Sequence, residues 1–148
     1  MKALVNLRSA SIYFPLLLLS GCATHPVAVG DSREIAPSHL ISDRPPGAAS
    51  SMEEGGKIII PRDAGLGGSA SLIKIFIDGL PVAKLTRYER YEAILKEGEY
   101  VLGATPTLGA SLSGVRELSA NIKRGQTLYY RVGYDSSGLV FQRTALTH

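Results

Sequence analysis

The chain has no tryptophan, two methionines, three phenylalanines and a single cysteine in 148 residues. One cysteine excludes an intramolecular disulfide, and it excludes zinc sites built on two to four thiolates. Histidine is nearly as scarce: His25 and His39 fall in the first third of the chain and His148 is its last residue. A serine or cysteine nucleophile needs a nearby base, and a catalytic zinc takes three protein ligands. The central region has no histidine to serve either. An excess of one charge is lacking too. Sixteen Lys and Arg stand against thirteen Asp and Glu, and Lys2 and Arg8 precede every acid. Without the first 21 residues the balance is fourteen against thirteen, or +1, which gives no bulk attraction for nucleic acid. The pI near 9.1 is therefore in part a property of the N-terminus. Long apolar runs are also absent. Ala10 to Leu19 is ten residues long and carries Ser11 and Pro15, whereas a spanning helix needs about 17 apolar residues at the least.

What is present begins at that short apolar run. Lys2 and Arg8 precede it as a positive segment, and together they have the layout of an export signal. The run closes on Leu19-Ser20-Gly21-Cys22, which resembles the lipobox of bacterial lipoproteins. The resemblance implies that the Cys22 thiol receives a diacylglycerol through a thioether. A peptidase then cuts between Gly21 and Cys22, and the freed amine is acylated. One acyl chain gives only marginal membrane binding, so three make a stable anchor. In that family an Asp after the cysteine keeps the product in the inner membrane. Here the residue is Ala23, which implies an outer-membrane lipoprotein facing the periplasm, with the lipid bilayer as its first partner.

Residues 22–56 contain Pro26, Pro37, Pro45 and Pro46 and show no sustained period of 2 or 3.6. They read as a flexible tether. The thirty-four residues from Ala23 to Gly56 reach about 110 Å when extended, which would let the domain stand well away from the lipid. The alternative is that the segment docks as a short strand, with Glu34 to Ser42 the place for it.

From residue 57 to 148 the texture changes to short β-branched and aromatic runs bounded by Gly, Asp, Pro and Ser. This spacing predicts an all-β domain, a small two-sheet sandwich. The expected strands are 57–61, 72–78, 81–85, 91–95, 100–105, 115–122, 127–134 and 139–143. In "SLIKIFIDG" Ile73, Ile75 and Ile77 alternate with Lys74 and Phe76, so the isoleucines should face the core. Asp78-Gly79 and the Tyr134 to Gly138 stretch predict hairpins. In residues 86–96 the positions of Tyr88, Tyr91, Ile94 and Leu95 also fit a helical stripe. That stretch is read as strand, with a short helix as the alternative.

Between Lys57 and Thr105 the chain resembles a family of bacterial lipoprotein domains and the related short β-modules with a Pro-Glu-Gly-Ala signature. Arg62, Asp78-Gly79, Val82, Leu85, Tyr91 and Gly98-Glu99-Tyr100 match that pattern, and Glu97 stands where the family has Pro. The resemblance implies an immunoglobulin-like or transthyretin-like sandwich and carries no active site.

No motif points to catalysis. Gly109 to Ser113 begins like a Gly-x-Ser-x-Gly elbow but ends in Ser. Gly65 to Ser69 lacks the lysine and helix of a phosphate cradle. Glu89 with Glu92, or Glu97 with Glu99, could pair only if a cleft tuned one of them as an acid. Substitution of His148 should accordingly leave any activity intact. Tyrosine is the one enrichment. Tyr129, Tyr130 and Arg131 are the candidate contact residues, which Arg87 and Arg90 could join in one patch, since Tyr and Arg dominate binding hot spots. Tyr129 and Tyr130 should point to opposite faces of their strand. The expectation is a non-enzymatic binding module, without cofactor or metal, for another envelope protein or cell-wall component. An accessory of a secretion or transfer apparatus is the alternative, and a cell-wall hydrolase is third.

Overall fold

A computed structural model describes residues 25–65, 70–108 and 114–145. The leader, Gly21, Cys22, residues 66–69 and 109–113, and His148 lie outside the described residues. Two sheets pack into a sandwich. The first has the order β1 (Arg33–Glu34), β5 (Glu89–Lys96), β2 (Gly55–Pro61), β8 (Thr127–Asp135), β9 (Gly138–Arg143). The second has β4 (Leu80–Leu85), β3 (Ile73–Ile77), β6 (Gly98–Pro106), β7 (Arg116–Ile122). All eight expected strands are present, with ends within two residues of those read from the sequence. Residues 89–96 are strand, so the helical alternative is not adopted.

Alternation does the sorting. Ile73, Ile75 and Ile77 are fully buried and meet Ile58, Ile60, Leu95, Leu102 and Val132 between the sheets. Each such side chain contributes about 1.5–3 kcal/mol by leaving water. The β3–β4 hairpin turns on Asp78 and Gly79, with φ of 48° and 77°. Two successive positive values are what a tight hairpin matching the right-handed strand twist requires. The β8–β9 hairpin closes at Asp135 and Gly138, and the Asp135 side chain accepts from the Ser137 N–H at 2.7 Å.

The largest departure from the sequence reading is the N-terminal segment. The expected tether is a strap: residues 25–54 are laid along the sandwich and hydrogen-bonded to it. His25 pairs with Ala64, β1 runs parallel to β5, Leu40 bridges to Ala83 and Ala48 bridges to Leu95. The Ile41 N–H donates to the Val82 carbonyl at 2.9 Å. The docked alternative is therefore the one realised, over a longer stretch than Glu34 to Ser42. The physical reason is that β4 and β5 end their sheets on the same side of the sandwich. Their unpaired backbone groups need partners, and an irregular chain can supply them without any period of its own.

Register places the loops at two ends. Pro61 lies opposite Arg90, Ile73 opposite both Leu85 and Pro106, and Ala104 opposite Arg116. The chain beyond Pro61, the 86–88 turn, Leu108, Val115 and the β8–β9 turn thus share one end. The Asp78-Gly79 turn, Arg124 and Ala145 share the other. The strap enters at the first end, through the His25–Ala64 pairing.

Candidate functional site

The charged residues buried in this all-β fold gather where the strap meets the first end. Arg62, Asp63 and Glu89 have relative exposures of 1%, 4% and 2%. Arg62 and Asp63 leave β2 just past its last residue, and Glu89 opens β5 beside them. The Arg62 N–H donates to the Glu89 carbonyl at 2.8 Å. The Arg62 guanidinium reaches across to the second sheet and donates to the Leu85 carbonyl at 2.6 Å. Burial pushes its pKa down from the usual arginine range.

Asp63 accepts two hydrogen bonds from the Arg131 guanidinium, at 2.5 and 3.0 Å, and one from the Val27 N–H of the strap at 3.3 Å. Room for the carboxylate comes from Gly133, where a β-carbon would lie 2.6 Å from Oδ2 of Asp63. Burial pushes the Asp63 carboxyl above its ordinary range, and Arg131 and the Val27 N–H offset this only in part.

Glu89 holds the other side of the strap. One oxygen accepts from the Thr86 N–H at 2.9 Å and lies 2.9 Å from Nδ1 of His39. The second accepts from the Ala36 N–H at 3.4 Å and has the Arg33 guanidinium at 3.9 Å. Burial raises the Glu89 pKa, but the hydrogen bonds from Thr86, His39 and Ala36 outweigh it and hold the carboxyl below its ordinary value.

That direction carries a pH signature. A depressed carboxyl stabilises the fold in full above its unfolded value, near 4.5, and the contribution is lost as pH falls through the folded value. Asp63 works the other way, its contribution being lost as pH rises through a value raised from 3.8. Glu89→Gln should therefore weaken strap attachment at neutral pH and remove the strap's own acid-induced release. Hydrogen exchange at Ile35 and Ile41 reads both. Equal acid sensitivity of exchange in the wild type and the variant would place the titrating group elsewhere.

The other candidates are dispersed. Tyr130 is corrected from a contact residue to a core residue: it is 1% exposed and packs near Phe141, with ring centroids 6.1 Å apart. Tyr129 points to the opposite face and is half-buried beside Arg143 and Thr144. Arg131 is occupied by Asp63. Arg90 is held by Glu92 at 2.5 Å, by Glu34 at 3.6 Å and by the Ser32 carbonyl. Arg87 donates to the Gly65 carbonyl at 3.4 Å. A single Tyr and Arg contact face does not form, because Tyr130 packs into the core and Arg87, Arg90 and Arg131 are drawn into internal hydrogen bonds. Glu89 and Glu92, three apart in a strand, fall on opposite faces, and Glu92 pairs instead with Lys57 and Arg90. Glu97 lies 4.0 Å from Arg124.

A groove of about 450 Å³ runs beneath the strap, lined by Glu34, Leu40, Asp43, Ala48, Arg90 and Glu92. Among the described residues no cluster of three His, Cys, Asp or Glu is placed to hold a metal ion. Sequence reasoning missed Arg62 and Asp63 as buried partners, and it missed the meeting of His39 with Glu89 across 50 residues. The one local signal was Arg-Asp following a run of three isoleucines. Comparison of the chain with family models, with curated proteins and with solved structures returns no match.

Proposed function

We propose that this is an outer-membrane lipoprotein, anchored by acylated Cys22 and facing the periplasm, whose sandwich binds another envelope protein or a cell-wall component without catalysing a reaction. The observation that carries the binding role is the contrast between the two sides of the sandwich. The strap covers the β4 and β5 edges, while among the described residues no strand pairs with the outer edges of β7 and β9. An open edge offers a row of backbone donors and acceptors to an extended segment of a partner. On β7 the exposed Glu117, Ser119 and Asn121 alternate with the inward Leu118, Ala120 and Ile122. They flank that row with polar side chains able to select a partner. The charged residues in contact with the strap are engaged in holding the fold, which agrees with a non-enzymatic role.

A photoreactive residue replacing Ser119 tests this in intact cells. One dominant adduct, to a single envelope protein or to peptidoglycan, is the expected result. Adducts confined to one large assembly would favour an accessory of a secretion or transfer apparatus, and no adduct would remove β7 as the contact.

A further inference from the structure

We propose that the end of the sandwich bearing Tyr88, Leu108 and Val115 lies against the lipid headgroups, so that the domain sits on the membrane and does not stand off it. The inference rests on acylation of Cys22. It follows from where the strap begins. His25 is already paired to Ala64, with its N–H 3.0 Å from the Ala64 carbonyl, and the next turn is held by the Val27 bond to Asp63. Cys22 is three Cα–Cα steps from His25, a span of about 11 Å at full extension. The thirty residues that could have formed a long spacer are spent on the sandwich surface, downstream of the anchor. Whichever way the domain tilts, the end that carries His25 and Ala64 cannot move more than about that distance from the acyl chains.

The side chains at this end suit such a position. Tyr88 is 48% exposed, Leu108 63% and Val115 54%. Tyr88 adopts φ of 64°, a conformation unfavourable for a bulky residue. It is fixed there by two backbone bonds, its N–H to the Arg62 carbonyl and the Arg33 N–H to its own carbonyl, at 3.3 and 2.7 Å. The outcome is an aromatic ring held outward at the end nearest the anchor, and tyrosine is enriched at the membrane–water boundary. Leu108 is presented in the same way by a turn whose backbone is held by Ser71 and Leu72. The exposed Arg33 and Arg116, with Arg87 beside Tyr88, can meet lipid phosphates; the exposed acids toward this end are Asp31, Glu34, Glu117 and Asp135, while Asp63 and Glu89 are buried under the strap. Arg and Lys near an interface keep their charge at the headgroups while their stems cover apolar surface.

The chain's lack of tryptophan makes the test direct. The full-length acylated protein is placed in vesicles of phosphatidylethanolamine and phosphatidylglycerol that contain a lipid with a nitroxide on its headgroup. Leu108→Trp and Val115→Trp carry an indole at the end near the anchor, and Arg124→Trp carries one at the far end. All three positions are exposed, so the fold tolerates them. Indole quenching severalfold greater at 108 and 115 than at 124 is expected. Equal quenching in acylated, vesicle-bound protein overturns this inference and leaves the anchor intact. Absence of acylation at Cys22 removes the anchor and this inference with it.

Discussion

Cys22→Ala should abolish incorporation of a fatty-acid analogue and release the protein from the membrane fraction, if the proposed acylation at Cys22 is its anchor. The size of the effect follows from the anchor. Each buried methylene contributes about 0.8 kcal/mol, and a single chain already binds membranes reversibly. Removing all the chains leaves only the side chains at the first end to hold lipid. Those few contacts are too weak to retain the protein through fractionation, because stable anchoring takes at least two hydrophobic signals. The fold should be untouched, since among the described residues the strap pairs to the sandwich from His25 onward, downstream of the substitution. Identical hydrogen-exchange protection at Ile35 and Ile41 in the two proteins would separate loss of anchoring from unfolding. Continued labelling of the alanine variant would defeat the lipobox reading.

Asp63→Ala should cost a large share of the stability, about 3–5 kcal/mol. Asp63 is the acceptor for both Arg131 bonds and for the Val27 N–H. Its removal leaves a guanidinium that is largely out of water without its counter-charge, and it frees the first turn of the strap. Domains of this size have about 5–15 kcal/mol in total, so the variant should unfold at markedly lower denaturant. Arg131→Met added to Asp63→Leu should recover much of the loss, because replacing a buried pair by apolar groups costs far less than breaking it. Chemical denaturation of the two variants tests the pair of outcomes. A loss below about 1 kcal/mol for Asp63→Ala would mean that Arg131 is solvated and behaves as a surface ion pair.

The strands were legible because their information is local. Ile73, Ile75 and Ile77 declare their face by alternation alone, and Asp78-Gly79 declares its turn by the backbone freedom it needs. Tyr129 and Tyr130 were assigned to opposite faces for the same reason. Which of them faced the core was not local, since it depends on the parallel pairing of β8 with β2, whose register sets Ile59 opposite Tyr129. Glu89 shows the same limit. Its strand could be read, yet its partners Thr86, Ala36 and His39 lie 3, 53 and 50 residues away. Two of those three belong to a segment with no period at all.

The sequence by itself determined the eight strands of the sandwich, the faces of their isoleucines and the two tight hairpins, because side-chain alternation and positive-φ turns are properties of a few consecutive residues. Only the tertiary structure decided that residues 25–54 are a strap and not a spacer, that Arg62, Asp63 and Glu89 are buried, and that Tyr130 is core. Those outcomes depend on two sheet edges coming side by side. An irregular segment acquires its conformation from the backbone groups those edges leave unpaired, and no pattern within the segment announces them.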